Sequence, residues 1–304
     1  MSVTMPVRRP RRRTLTLATA LGAAAALLAI AAPGPAQAAS AAASPAADHC
    51  NRVEFIGARG SGQALDTTGP DKGFGPESYR VVSAAAPKLS AKKISYGVDA
   101  VPYAATSVND LKPSTLEILG LPESLPVYYK DNVQKFLASI AQGVSYLVSD
   151  VKDRVATCGS AQGLVLVGYS QGAIVVHQAE DYLQVHDKSA LGHIIATVLV
   201  ADGDRVPKTK AKEFGSSGVS SEGIQVYLGH FSTHEDMPLP GSTANVCNAN
   251  DIVCNFGIPQ LIHFSASAKV HTTSYANCAG SKCTYGSALV SAANWATGVV
   301  LSKV

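Results

Sequence analysis

One pentapeptide limits the possible folds of this 304-residue sequence most strongly: GYSQG at residues 168–172. It follows an apolar run at 164–167 and precedes residues 173–176, which suit a helix. A strand, a sharp turn with glycine on both sides of a serine, and a helix are the parts of a nucleophile elbow, in which neighbouring backbones pass close together. The alternative is an ordinary strand-to-helix turn with no catalytic role. The elbow predicts a sheet with Ser170 exposed at its carboxyl end.

The N-terminal segment has the composition of an export signal. A cluster of five arginines precedes an almost wholly apolar run at 15–32, and Ala-Gln-Ala at 36–38 offers a cleavage site. We therefore predict a secretory signal peptide over 1–38 and a flexible leader over 39–47, so that a secreted, extracellular domain spans 48–304. The alternative is a retained membrane anchor, because about 18 apolar residues can span a bilayer.

Loss of the signal segment changes the charge of the protein. Five arginines and no acidic residue are removed, so the formal net charge goes from +3 to −2 (+3 minus 5). A near-neutral surface gives no reason to expect nucleic acid as a partner. The glycines at 57, 60 and 62 are spaced in the reverse order of a dinucleotide fingerprint, and no C-x-x-C pair or His/Cys cluster suggests a metal. We expect neither a cofactor nor a metal.

The cysteines predict disulfides. All six lie in the part of the chain expected outside the cell, where an even count implies pairing. Proximity in the sequence favours two short loops, and the remaining pair would close a long loop with a large gain from loop entropy. The predicted pairs are Cys247 with Cys254, Cys278 with Cys283, and Cys50 with Cys158.

Strand and helix patterns alternate along the rest of the chain, which implies a parallel sheet covered on both faces. We predict an α/β-hydrolase-type three-layer sandwich with a central, mostly parallel sheet flanked by helices. Prolines interrupt residues 103–129, which form either a plain surface loop or a flap over a groove. Besides the strand before Ser170, the predicted strands are 52–56, 93–101, 193–200 and 224–228, and the predicted helices are 79–89, 131–156, 171–185 and 287–304.

A serine hydroxyl is a weak nucleophile at neutral pH, so Ser170 needs a histidine base and a carboxylate that orients this base. After a nucleophile elbow, the acid comes first in the chain and the histidine second. Asp251 stands out because a Cys247–Cys254 disulfide would hold its segment rigid. The other acid candidates are Asp202, Asp204 and Asp236, of which the first two are better explained as turn residues beside Gly203.

The base is a choice between His263 and His271, and we favour His271. Three other histidines lie in or beside the predicted helix and strand that follow the elbow, where packing or surface roles are expected. Two more precede Asp251, which breaks the expected order of acid and base. The histidines set aside are His177, His186, His193, His230 and His234.

Four motifs together resemble those of the cutinase family of secreted serine esterases, including the cutinase-like proteins of actinobacteria. They are ARGS at 58–61, GYSQG at 168–172, the Cys247–Cys254 segment around Asp251, and HTTSY at 271–275. Family members commonly carry glycine before the acid, where this chain has Asn250, and asparagine adopts the same left-handed geometry at modest cost. The interval between Cys254 and His271 is longer than in compact cutinases.

This resemblance implies hydrolysis of carboxylic ester bonds in hydrophobic substrates, such as cutin-like polyesters, acylglycerols and short-chain fatty esters. The expected enzyme is a monomer that makes at most transient contact with a lipid surface. The alternatives are an acetyl-xylan esterase of the same architecture and a non-catalytic surface-binding protein. The implied site residues are Ser170, Asp251 and His271 as a catalytic triad, with an oxyanion hole from the backbone N–H of Gln171 and the backbone N–H and hydroxyl of Ser61. The implied family bridges are Cys50–Cys158 and Cys247–Cys254.

Overall fold

The computed structural model describes residues 50–107, 127–225, 237–280 and 282–304. Several sequence predictions fall outside these ranges. They concern the signal peptide over 1–38, the leader over 39–47, most of the proline-rich segment at 103–129, and the candidates His230, His234 and Asp236.

Six parallel strands form the central sheet, which confirms the predicted fold class. Their order is β2-β1-β3-β4-β6-β5, and each neighbouring pair is parallel. Two further strands pair as a separate antiparallel hairpin. The bounds are β1 Val53–Ala58, β2 Tyr96–Ala100, β3 Gly163–Tyr169, β4 Ile194–Val200, β5 Lys212–Phe214, β6 Thr243–Val246, β7 Ala276–Ala279 and β8 Lys282–Tyr285.

Helices connect the strands and lie on both sides of the sheet. None of the helices in the described ranges combines the length and the apolar character of a membrane span. The bounds are α1 Pro76–Ala91, α2 Val127–Cys158, α3 Gln171–His186, α4 Lys188–Leu191, α5 Ile258–Ile262, α6 Phe264–Thr273 and α7 Ser287–Lys303, with 3-10 turns at Gly159–Ala161 and Pro240–Ser242.

The β3 strand shows how the two sides of the sheet are filled. Successive side chains of a strand point to opposite faces. Val165 and Val167 pack into one apolar cluster with residues of α1 and α7, whereas Leu164 and Leu166 pack into the other with residues of α2 and α3. The near-continuous apolar sequence of β3 is therefore what a strand buried on both faces requires.

The strand predicted at 224–228 is wrong where the structure describes it. Ile224 donates its backbone N–H to Val253 O at 2.8 Å, and Gln225 donates to Gly203 O at 2.9 Å, so both residues bond to loops rather than to a strand. Residues 226–228 lie outside the described ranges. The short strands β5 and β6, which were not predicted, complete that edge of the sheet.

Three disulfides fasten the connections between these elements. Cys50 pairs with Cys158, which joins the chain before β1 to the C-terminal end of α2. A second bridge closes the loop after β6, and a third crosses the β7–β8 hairpin. These two bridges are Cys247–Cys254 and Cys278–Cys283, as proximity in the sequence favoured.

Candidate active site

Ser170 lies in a sharp turn between β3 and α3, with φ 54° and ψ −118°. A non-glycine residue with positive φ is strained and is held only by its surroundings. The flanking glycines let neighbouring backbone pack tightly around the turn. A Cβ on Gly172 would lie 2.0 Å from Ala58 O, and one on Gly168 would lie 2.3 Å from Gly172 O. Ser170 also donates its backbone N–H to Val200 O at 2.8 Å. The backbone is therefore fixed from several sides.

His271 is the histidine that the structure brings to Ser170. Its Nε2 lies 2.9 Å from Ser170 Oγ. His263 is exposed and lies between α5 and α6, at the N-terminal cap of the helix that carries His271. The expectation that Ser170 is exposed is wrong, since it is only 5% exposed and lies against an equally buried imidazole.

Asp251 lies on the other side of the imidazole. Its two carboxylate oxygens are each 3.1 Å from His271 Nδ1, and its side chain is fully buried. The preceding Asn250 has φ 66°, the left-handed geometry that the sequence comparison with glycine anticipated. Val253 donates its backbone N–H to Asp251 Oδ1 at 2.7 Å, and Tyr275 donates its hydroxyl to Oδ2 at 2.7 Å. The loop inside the Cys247–Cys254 disulfide thus holds the carboxylate toward His271.

The surroundings of Asp251 favour its charged form. Burial by itself opposes ionisation. The positive charge that His271 can carry, the His271 hydrogen bond and the donors Val253 and Tyr275 outweigh burial and hold the pKa of Asp251 below its usual value. A carboxylate that stays ionised can stabilise an imidazolium formed during reaction.

The other acid candidates that the structure describes lie away from His271. Asp204 donates its backbone N–H to Asp202 Oδ1 at 2.9 Å, which is the turn geometry expected beside Gly203. Asp202 also lies 2.7 Å from Nδ1 of His177, and both side chains are buried. The sequence did not indicate this buried pair, because its partners are separated by 25 residues.

Tyr169 is a site residue that the sequence interpretation missed. Its ring stacks on the imidazole of His271, with centroids 5.4 Å apart and planes 16° apart. Its hydroxyl donates to the backbone carbonyl of His271 at 2.9 Å. The stacking and this hydrogen bond fix the plane of the imidazole. The aromatic residue inside the GYSQG motif was the sequence signal that could have identified Tyr169.

The two predicted oxyanion donors lie on neighbouring segments. Gln171 is the first residue of α3, where a backbone N–H has no acceptor within the helix. A Cβ on Gly172 would lie 2.6 Å from Arg59 O, so the loop after β1 passes directly beside the start of α3. Ser61 lies on this loop, and its hydroxyl donates to Thr106 O at 2.6 Å.

Arg59, the second residue of the ARGS motif, anchors the loop that carries Ser61. Its buried guanidinium donates to the backbone carbonyls of Gln63 at 2.8 Å, Val101 at 3.2 Å and Tyr103. Burial lowers the pKa of Arg59. The guanidinium therefore joins the loop after β1 to the chain that follows β2.

Metal ligands are not grouped in the part of the chain that the structure describes. There, no three His, Cys, Asp or Glu side chains come together as an ion would require.

The chain is similar to a known protein family. The family model described as Cutinase matches residues 49–281. Cutinases of two strains of Hypocrea jecorina, Rut C-30 and QM6a, are each 35% identical over 88 residues, which are 29% of this chain and 32% of each relative. The chain therefore spans about a third of the length of these curated relatives.

Solved structures with similar folds carry related names. An acetylxylan esterase structure has a TM-score of 0.49 and 20% identity, covering 84% of this chain and 99% of that chain. A cutinase-like protein from Cryptococcus sp. has a TM-score of 0.47 and 18% identity, covering 75% and 93%. Trichoderma reesei cutinase in complex with a phosphonate inhibitor has a TM-score of 0.41 and 21% identity, covering 84% and 77%.

Proposed function

The chain belongs to the cutinase family, and from this premise we propose that it is a serine esterase that hydrolyses carboxylic esters. One observation carries the proposal: the imidazole of His271 contacts a hydroxyl on one side and a buried carboxylate on the other. Its Nε2 lies 2.9 Å from Ser170 Oγ, and its Nδ1 lies 3.1 Å from Asp251 Oδ1. This order of contacts is what nucleophilic catalysis by serine requires.

In the first half of the proposed reaction, Ser170 Oγ attacks the carbonyl carbon of the ester. Its proton passes to Nε2 of His271, and the carbonyl electron pair moves onto oxygen. When the tetrahedral intermediate collapses, the bond to the alcohol breaks and Nε2 returns the proton to the leaving oxygen. Asp251 stabilises the imidazolium throughout and does not itself take the proton. The product of this half is an acyl-enzyme on Ser170.

In the second half, water replaces the alcohol. His271 takes a proton from water while the water oxygen attacks the acyl carbon. His271 then gives this proton to Ser170 Oγ as the bond between Oγ and the acyl carbon breaks and the carboxylic acid leaves. We propose that the backbone N–H groups of Gln171 and Ser61 bind the oxyanion in both halves. A hydroxyl has one proton to donate, so the hydroxyl of Ser61 can join them only by giving up its bond to Thr106 O.

We propose hydrophobic esters as substrates, presented at a lipid or polyester surface. Ile258 and Ile262 lie one helical turn apart on α5, and each is 71% exposed. Residues spaced by four share one face of a helix. This short apolar surface directly precedes α6, the helix that carries His271. Contact of α5 with an apolar surface would bring the ester to the catalytic histidine.

The domain limits and the location of the protein are part of the same proposal. Residues 1–38 would direct export and be removed, residues 39–47 would be a leader, and 48–304 would be the secreted catalytic domain. Three disulfides suit an oxidising compartment. We propose a monomer, which size-exclusion chromatography with light scattering would test.

The experiment that tests the proposed function is hydrolysis of p-nitrophenyl acyl esters of increasing chain length by the wild type and by Ser170→Ala. The proposal expects hydrolysis that favours acyl chains longer than acetyl and a mutant rate near that of the uncatalysed reaction. A preference for acetyl esters and acetylated xylan would instead support a polysaccharide deacetylase. Undiminished hydrolysis by Ser170→Ala would contradict a mechanism in which Ser170 is the nucleophile.

A further inference from the structure

Gln63 makes hydrogen bonds on three sides at the loop that carries Ser61. Its side-chain Nε2 donates to Glu77 Oε2 at 2.7 Å, and its side-chain Oε1 accepts the backbone N–H of Gly60 at 2.7 Å. Its own backbone N–H donates to Gly60 O at 3.1 Å. One glutamine therefore holds both the N–H and the C=O of Gly60 and ties them to a carboxylate on α1.

The backbone bond of Gln63 acts on the peptide group whose N–H is the proposed oxyanion donor. A peptide unit is planar and trans, so its C=O and N–H point in opposite directions and turn together. The C=O of Gly60 and the N–H of Ser61 belong to the same unit, so the bond from Gln63 N–H to Gly60 O sets the direction of the Ser61 N–H. The side-chain bonds of Gln63 fix the peptide unit before it and keep Gln63 in place for the backbone bond.

Two glycines allow the close packing around Gln63, because a side chain at either position would collide with a neighbour. A Cβ on Gly75, which has φ +75°, would lie 2.1 Å from Gln63 Oε1. A Cβ on Gly60 would lie 2.5 Å from the ring of Tyr169, which in turn stacks on His271. The Gln63 side chain thus fits between the start of α1 and the loop, and the loop packs directly on the aromatic support of the imidazole.

Glu77 is the buried carboxylate to which Gln63 is tied. Its side chain is only 5% exposed and lies in the first turn of α1. Burial raises the pKa of Glu77, while the Gln63 hydrogen bond lowers it. The Gln63 amide is therefore one of the groups that compensate for the burial of this carboxylate.

We propose that Gln63 and Glu77 are positioning residues for ester hydrolysis: Gln63 orients the oxyanion donor at Ser61, and Glu77 holds Gln63 in place. This inference rests on the proposed function. Neither residue contacts the reacting atoms.

The test removes the side-chain hydrogen bonds of the two residues in turn. Gln63→Leu removes the side-chain donor and acceptor, and we expect kcat for p-nitrophenyl butyrate to fall about tenfold with KM nearly unchanged, less than the loss of an oxyanion donor itself. Gln134→Leu, on the exposed face of α2, is the matched control and should keep wild-type kcat. Gln63→Met serves in the same way if Gln63→Leu does not fold.

Glu77 is tested through its hydrogen bond with Gln63. Glu77→Leu removes the acceptor of the Gln63 amide, and we expect kcat to fall by about the same factor as in Gln63→Leu with KM nearly unchanged, whereas Glu77→Gln keeps an acceptor and should restore most of kcat. Asp153→Asn, at an exposed site on α2, should keep wild-type kcat. A merely structural role for Glu77 would change stability without separating the kcat values of the two Glu77 variants.

Two results would overturn the inference: wild-type kcat in folded Gln63→Leu or Gln63→Met, or the same kcat for Glu77→Leu and Glu77→Gln. Failure of the proposed function has a different signature. In that case the wild type itself would not be labelled at Ser170 by a fluorophosphonate and would hydrolyse esters no faster than Ser170→Ala, and the inference would fall with it.

Discussion

The hydroxyl of Tyr275 donates a 2.7 Å hydrogen bond to Oδ2 of Asp251, the carboxylate that contacts His271. The same hydroxyl accepts the backbone N–H of Asn248 at 3.0 Å. Tyr275 lies four residues after His271 in the HTTSY segment. One tyrosine therefore connects the acid loop to the chain that carries the base.

Replacing Tyr275 by phenylalanine keeps the ring and removes this connection. Asp251 would lose a donor that holds its pKa down, so less of it would be ionised in acid. We expect kcat/KM to fall several-fold at pH 8 and further at pH 5. Steady-state kinetics across pH checks this, with Tyr182→Phe, which is 45% exposed, as control. Equal losses at both pH values would contradict it.

The two short-loop disulfides should separate activity from stability. Both bridges close small loops, so by loop entropy each contributes about 2–3 kcal/mol to the free energy of unfolding. Only the Cys247–Cys254 loop contains Asp251. We expect the double serine variant of that pair to lose most of its kcat in addition to stability.

The double serine variant of Cys278 and Cys283 is its control. It should show a similar loss in urea denaturation while keeping kcat near that of the wild type. If both double variants lost activity in parallel with stability, the disulfide around Asp251 would have no specific part in orienting the acid.

Acidic conditions should favour the folded state through a buried cluster on α3. Burial raises the pKa of Glu180 to about 7 and that of Asp204 to about 7. Burial opposes the charge on His177, but Asp202 outweighs it and raises the pKa of His177 to about 10. In each case the folded state binds protons that the unfolded chain has released. The free energy of unfolding therefore falls as pH rises: between 3.8 and about 7 through Asp204, between 4.5 and about 7 through Glu180, and between 6.5 and about 10 through His177.

Urea denaturation at pH 5, 7 and 9 measures this dependence, and Glu180→Gln identifies its source. Glutamine stays neutral at every pH, so the variant should lose less stability than the wild type between pH 5 and 7. Asp153→Asn, on the surface, should keep the wild-type slope. A wild-type free energy of unfolding that rises with pH would show that the cluster does not behave in this way.

The surface formed by Ile258 and Ile262 should matter only for insoluble substrates. The double serine variant removes the apolar surface from α5 without touching the triad. We expect unchanged kcat/KM for soluble p-nitrophenyl butyrate and a lower rate on triacylglycerol emulsions or polyester film. Val185→Ser, at a 59% exposed site on α3, should affect neither. Equal rates of the double variant and the wild type on film would rule out this surface.

His263 and His271, the two candidates for the base, can be compared directly by the kcat of their alanine variants. His271→Ala should reduce kcat by about 10⁴-fold or more, because it removes the group that takes the serine proton. His263→Ala should leave kcat near the wild-type value, since His263 is exposed. The same assay on both variants decides the matter. The opposite pattern would assign the base to His263.

Local sequence patterns predicted β3 and α3, the elements on either side of Ser170, but not α6, the helix that carries His271. The apolar β3 run and the two glycines around Ser170 identify the elbow, since each glycine sits where a Cβ would strike backbone. The edge of the sheet was harder to predict, because β5 has three residues and β6 has four, too few to show a period.

Contacts between loops were not predictable in the same way. Gln63 and Glu77 are 14 residues apart, and His177 and Asp202 are 25 residues apart. No spacing rule joins such pairs. Their meeting depends on how α1 and α3 pack against the sheet, which only the assembled fold determines. The supporting contacts of the site therefore came from the structure, whereas its reactive groups came from the sequence.

The acyl-enzyme on Ser170 is the central claim, and trapping it is the most direct test. The wild-type protein is mixed with p-nitrophenyl butyrate, quenched in acid within the first turnovers and digested for mass spectrometry. We predict a butyryl group on the peptide that contains Ser170, and no such adduct in Ser170→Ala. Hydrolysis that proceeds at the wild-type rate while acyl groups are found on another residue, or on none, would contradict the account.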